Sequence, residues 1–190
     1  MDCGKFILSG DDKKTLSIVK NTLTSNGHNF MGYLKEPTHL LRCIRTNQPD
    51  FLVVEAGNNL KELRSVLEII DEETLAACII ILERRNDDII DFLKKSKVLS
   101  YITKPVFDEA ILQVIDISLI NFERVVEYER KVKKLNDTLE SRKVVEKAKW
   151  ILVQKEGYTE EQAYEAIRKK SRDNRITMKE IAEALILTRG

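Results

Sequence analysis

Helix-breaking residues are scarce in this chain. It has seven glycines and three prolines in 190 residues, and none of either between Val106 and Gly157. Nothing in that fifty-residue stretch obliges a helix to end. Cysteine is equally sparse. Cys3, Cys43 and Cys78 are odd in number and far apart, so neither a disulfide framework nor a zinc spacing is present. Cys78 lies in an apolar run, where a thiol behaves as a small hydrophobe. No apolar run reaches eighteen residues and no hydrophobic leader opens the chain. A membrane span and a signal peptide are therefore not expected, and the cytoplasm is the expected location.

Net charge is close to zero, at +1, but it is unevenly distributed. Residues 1–140 carry 20 Lys/Arg against 23 Asp/Glu, whereas residues 141–190 carry 12 against 8. A basic tail on a mildly acidic body suits a polyanion held by the tail alone. Charged residues make up 33% of the chain and hydrophobic ones 43%. That balance allows one ordinary core, a small second unit and long solvated helices.

Residues 1–120 alternate short apolar runs with helical spacings. Phe6-Ile7-Leu8, Phe30 to Leu34, Phe51 to Val54, Cys78 to Leu82 and Ser100 to Thr103 read as strands. Helical spacing separates them at 15–23, 39–47, 60–70 and 87–95, and a fifth helix starts at Asp108. Apolar strands that do not alternate with polar residues predict an α/β fold, a doubly wound five-stranded parallel sheet covered on both faces. Such sheets carry their functional groups beyond the carboxyl ends of the strands. Asp11 and Asp12 follow the first strand, Glu55 the third, Glu83 the fourth and Lys104-Pro105 the fifth. Their convergence predicts an acidic pocket with an internal lysine.

The fifth helix is expected to run on. Ile111, Val114, Ser118, Asn121, Val125, Tyr128, Val132, Leu135 and Leu139 follow a 3-4 spacing over about four heptads. Charged flanks such as Arg124, Glu127, Lys133 and Lys134 favour a parallel coiled-coil homodimer over a lone helix packed on its own chain. Ser118 and Asn121 are polar interruptions that weaken the early seam or set its register. Three helices then follow. The first stops at Gly157, and the others open at Thr159 and Thr177, each with a Gln or Glu three residues on. These are capping-box signatures. The organisation expected is 1–120, 121–140 as coiled coil, and 141–190 as an all-α three-helix unit.

The pocket residues resemble those of the response-regulator receiver domains, which have a flavodoxin-like fold. Asp11 and Asp12 match the acidic pair, Lys104 the phosphate-facing lysine, and Tyr101 the aromatic switch position. Glu55 stands where the family has its phosphorylated aspartate, and Glu83 near its hydroxyl residue. An extra methylene shifts the attacking oxygen by about a bond length, and misplacement of ~1 Å can cost a hundredfold in rate. The resemblance therefore implies a degenerate receiver, a pseudo-receiver, not switched by aspartyl phosphorylation. Mg²⁺ on Asp11, Asp12 and Glu55 remains open, as does a purely structural Glu55–Lys104 ion pair.

Arg168, Lys169, Lys170, Arg172 and Arg175 fall within eight residues, opposed only by Asp173. Charge of this density suits either phosphate contacts or an ordinary solvated face. From Arg142 to Leu187 the tail resembles the ANTAR domain, the RNA-binding module of transcription antitermination regulators. Ala148-Lys149, Leu152, Gly157, Ala163-Tyr164, Ile167-Arg168, Ser171 and Ala182 carry the resemblance. Trp150 departs from it, standing where a glycine is common. It reads either as core, the favoured reading, or as a ring for an unpaired base. Tyr164 reads as core.

The resemblance implies binding to hairpin loops in an mRNA leader, which would keep a terminator from forming. A regulatory protein partner is a further possibility. Lys149 and Arg168 are the leading RNA contacts, with Ala148 permitting close approach. Lys147, Lys169, Lys170 and Arg172 are expected on phosphates, and Ser171 either on RNA or on its own backbone. No catalytic role is expected. The alternatives are a DNA-binding regulator, and a regulator that is switched by phosphorylation.

Overall fold

The structure, a computed structural model, describes residues 3–57, 60–85 and 87–189. The chain divides into two compact units, Met1–Glu127 and Tyr128–Gly190, and the division falls within one helix.

In the first unit the elements alternate. They are β1 (Lys5–Ser9), α1 (Lys13–Ser25), β2 (Asn29–Leu34), α2 (Pro37–Asn47), β3 (Phe51–Glu55), α3 (Leu60–Glu72), β4 (Ala77–Leu82), α4 (Asp87–Leu93), β5 (Leu99–Thr103) and α5 (Asp108–Glu156). All strand pairs are parallel, in the order β2-β1-β3-β4-β5. The order reverses between β1 and β3, and a crevice opens at such a switch point beyond the strand ends.

Every residue of β3 and β4 is buried. The pleat sends alternate side chains to opposite faces. Ile7, Leu52, Val54, Cys78, Ile80 and Leu82 meet Leu40, Ile44, Leu63, Leu67 and Ile70 of α2 and α3. Phe6, Leu8, Phe51, Val53, Ile79 and Ile81 meet Leu16, Val19 and Leu23 of α1 and Ile111 and Ile115 of α5. Strands buried on both sides need no polar alternation, hence the continuous apolar runs. Truncating a fully buried residue such as Ile79 to Ala would cost about 2–5 kcal/mol.

Specific polar contacts fix the ends of these elements. Asp12 caps α1, its Oδ1 accepting from the backbone N–H of Lys14 and Thr15 at 3.1 and 3.2 Å. The carboxylate of Asp71 accepts from the N–H of Lys97 and Val98 at 2.6 and 2.8 Å and so anchors the start of β5. Thr22 donates to Asp108 at 2.6 Å, tying α1 to the first turn of α5.

The second unit holds the carboxyl-terminal part of α5, α6 (Glu160–Asn174) and α7 (Met178–Arg189). Gly157 ends α5 at φ +69°, a conformation that glycine adopts without penalty. Both expected capping boxes form. Thr159 and Gln162 exchange hydrogen bonds at 3.0 and 3.2 Å, and Thr177 and Glu180 at 2.8 and 3.2 Å. Val145, Ala148, Leu152, Ala163, Ile167, Ile181, Ala182 and Leu185 form the core. Its three alanines let the helix axes approach closely.

Three expectations change. The early 3-4 spacing is not a free seam, because Ile111 and Ser118 are buried within the first unit. Ser118 shares a 2.6 Å hydrogen bond with Ser100 of β5 and donates to the Val114 carbonyl. Of the apolar residues in that spacing, Tyr128, Val132, Leu135 and Leu139 stay more than half exposed. Trp150 is not core, since 64% of it is exposed. Ala148, Ile151 and Leu152 form the inward stripe of α5, and 100° per residue turns Trp150 away from it. Tyr164 is likewise exposed, because Ala163 and Ile167 take the inward positions on α6.

Candidate functional site

The carboxyl ends of β1, β3, β4 and β5 bring four of the expected pocket residues together. Lys104 Nζ donates to Asp12 Oδ2 at 2.8 Å, Glu55 Oε1 at 3.0 Å and Glu83 Oε1 at 2.5 Å. The second oxygen of Glu55 accepts from the backbone N–H of Asp11 and Asp12 at 3.2 and 3.3 Å. The Glu55 side chain is only 4% exposed. Gly10 (φ +141°) makes room for it, because a Cβ there would lie 2.6 Å from Glu55 Cβ. The Tyr33 hydroxyl donates to the Gly10 carbonyl across the same corner.

The electrostatics follow from these contacts. The hydrogen bond from Lys104, aided by Thr15, holds the Asp12 carboxyl well below the usual carboxylate range. Burial disfavours the charged form of Lys104, but its bonds to Asp12, Glu83 and Glu55 outweigh that and raise its pKa above the usual lysine range. Burial, with the charges of Asp11 and Glu55, also pushes the Tyr33 hydroxyl up.

Asp11 does not join this cluster. Its exposed carboxylate lies 3.7 Å from the Lys35 ammonium. The carboxylates within reach of one another are those of Asp12, Glu55 and Glu83, so the trio Asp11, Asp12 and Glu55 expected for Mg²⁺ is not assembled. The converging oxygens already receive the Lys104 ammonium, and a dication among them would meet that like charge. The set that converges, Asp12, Glu55 and Glu83, thus differs from the set expected for Mg²⁺ by having Glu83 in place of Asp11.

The basic residues of the tail divide by exposure. Arg168, Lys169, Lys170 and Arg172 are exposed on α6, and Lys147 is exposed on α5. Arg168 donates to Glu165 at 3.0 Å, and Arg172 comes within 4.0 Å of the same carboxylate. Lys149 is different: its side chain is 13% exposed, and its ammonium lies 2.9 Å from Glu146 and 3.6 Å from Glu160 of α6. Ala148 is fully buried in the three-helix core. It serves helix packing and does not offer a surface for close approach. Ser171 donates to the Ile176 carbonyl at 2.6 Å, closing the turn after α6. That is the local-capping alternative.

Residues 133–186 match the ANTAR domain family. The carboxyl-terminal region is an ANTAR domain. The transcriptional regulatory protein PdtaR of Mycobacterium tuberculosis is 23% identical over 186 residues, covering 98% of this chain and 91% of that protein. The nitrate regulatory protein of Klebsiella oxytoca is 46% identical over 56 residues, 30% of this chain and 14% of that protein. The signal receiver domain of a modulated diguanylate cyclase from Desulfovibrio desulfuricans superposes with a TM-score of 0.56 and 16% identity, covering 64% of this chain and 98% of that one. The first unit thus has the receiver fold, and the ANTAR domain follows it.

Most motif residues of the ANTAR domain are architectural. Ala148, Leu152, Ala163, Ile167 and Ala182 are core and Gly157 is a helix stop. The charged positions between them are what the fold displays. Sequence reasoning missed Lys35 as the partner of Asp11 and Glu160 as the partner of Lys149. Neither pair has a local signature, because each joins two separate elements. Among the described residues no helix is long and apolar enough to cross a membrane.

Proposed function

We propose that this protein is a transcription antitermination regulator. Its ANTAR domain would bind hairpin loops in nascent mRNA, in the cytoplasm, and keep a terminator hairpin from forming. The observation that carries this reading is an ANTAR domain whose α6 exposes Arg168, Lys169, Lys170 and Arg172 over little more than one helical turn. Unpaired loops suit such a surface because their bases are splayed open, whereas the deep major groove of A-form RNA is closed to side chains. The relatives, a transcriptional regulatory protein and a nitrate regulatory protein, support a regulatory role over a catalytic one.

The first unit acts as a pseudo-receiver. A buried Glu55 already hydrogen-bonded to Lys104 occupies the position that a phosphorylated aspartate would take. The constellation holds a permanent negative group against the lysine, so phosphoryl transfer is not its switch. Tyr128, Val132, Leu135 and Leu139 would pair with those of a second copy. A dimer carries two ANTAR domains, and two tethered contacts gain affinity through effective concentration.

One experiment tests this reading. Full-length protein is mixed at low salt with a pool of short RNA stem–loops with randomised loops, in competition with duplex DNA. Selective retention of stem–loops, with affinity falling steeply as salt rises, is expected. Preference for duplex DNA would overturn the RNA reading.

A further inference from the structure

The chain has one tryptophan, Trp150, and its indole is 64% exposed on α5 within the ANTAR domain. A tryptophan typically buries about 150–250 Å² and dominates the contacts it makes, so one left in water invites an occupant. Among the described residues no aromatic ring stacks on it. The indole adds little to the unit's core, which Val145, Ala148 and Leu152 fill from the opposite side of the helix.

We infer that Trp150 is a stacking platform for an unpaired RNA base, held beside phosphate-facing lysines. This rests on the RNA-binding reading above and deepens it by naming how a base is gripped. The neighbours support a polyanion. Lys147 and Lys143 lie three and seven residues before Trp150 and share its side of α5. Glu146, four residues before, is engaged by the Lys149 ammonium at 2.9 Å, which offsets its charge. A flat apolar ring bordered by cations fits a stacked base whose backbone runs along the lysines, the arrangement by which proteins hold single strands.

A second copy of the chain is the competing occupant, and the heptad pattern disfavours it. After Leu139 the seam positions become Arg142, Glu146 and Lys149. The apolar seam therefore ends eleven residues before Trp150, and a partner helix offers no apolar surface there.

Because the tryptophan is single, emission excited beyond tyrosine absorption reports on residue 150 alone. Full-length protein is titrated with the randomised-loop RNA pool and, separately, with the same stems as blunt duplexes. Gel shifts run in parallel on wild type, Trp150→Ala and Trp150→Phe. Three results are expected together: quenching by stem–loops but not duplexes, binding weakened about 5- to 150-fold in Trp150→Ala as for loss of one stacked base, and most of the affinity retained in Trp150→Phe. Unfolding midpoints should match, because the residue is exposed. Stem–loop binding with unchanged emission, or with a Trp150→Ala variant of wild-type affinity, overturns the stacking role and leaves the RNA reading intact. Loss of dimer in Trp150→Ala, seen by sedimentation, assigns the ring to a second copy and also overturns it. No binding to any stem–loop overturns both.

Discussion

Glu55 and Lys104 form a direct ion pair, 3.0 Å from Oε1 to Nζ, with side chains 4% and 15% exposed. At an effective dielectric of 20 the gross attraction at this range is on the order of 5–6 kcal/mol. Desolvation of both groups offsets much of it. The pair therefore contributes more to defining one arrangement of the strand ends than to net stability.

Removing the charge of Glu55 leaves Lys104 with Asp12 and Glu83. Glu55→Gln is expected to destabilise the first unit by about 1–3 kcal/mol, the range for a buried group that loses a partner. Urea denaturation followed by circular dichroism measures it. An unchanged midpoint would show that Asp12 and Glu83 suffice. Incubation of wild type with acetyl phosphate should leave the intact mass unchanged, and a stable adduct on Glu55 would falsify the pseudo-receiver reading.

The pH dependence has a definite sign. The folded pKa of Asp12 is depressed, so its stabilisation is full above the ordinary aspartate value of about 3.9 and declines as pH falls below it. The folded pKa of Lys104 is raised. Its contribution is full below the ordinary lysine value of about 10.4 and is lost as pH rises through the folded value. Asp12→Asn keeps an acceptor for the α1 cap but loses the charge facing Lys104. The difference in stability between wild type and this variant should shrink as pH drops from about 5 towards 3. A difference that stays constant over that range would rule out the Asp12–Lys104 linkage.

Arg168 is exposed and makes a surface pair with Glu165. Arg168→Ala should leave thermal stability unchanged and weaken stem–loop binding by about 1–3 kcal/mol. Lys149→Ala should do both, lowering stability slightly through loss of its contacts to Glu146 and Glu160 and weakening RNA binding. Gel shifts and melting curves on the same preparations separate the two effects. Equal RNA affinity in both variants and wild type would remove these residues from the interface.

Leu135 lies in the middle of the exposed Tyr128–Leu139 stripe. Leu135→Lys should convert a dimer to a monomer in sedimentation equilibrium, because a charge at a seam position cannot be desolvated between two helices. The ANTAR core, which Leu135 does not join, should remain folded. A wild type that is already monomeric would exclude the seam.

Local patterns carried much of this in advance. Apolar runs marked the five strands, and Thr159/Gln162 and Thr177/Glu180 marked two helix starts within a residue. These signals are short-range, set by backbone caps and by burial on both sheet faces. The roles of Ser118, Trp150 and Asp11 were not legible, because each depends on which distant element lies opposite.

By itself the sequence determined the parallel sheet, the uninterrupted helix after Val106, and the ANTAR pattern, because propensity, caps and hydrophobic spacing act between near neighbours. Only the tertiary structure decided that Glu83 rather than Asp11 joins Lys104, that Ser118 is held by Ser100, and that Ala148 is buried while Trp150 is bare. Those outcomes depend on contacts between elements far apart in the chain, and no spacing along it encodes which side chains will meet.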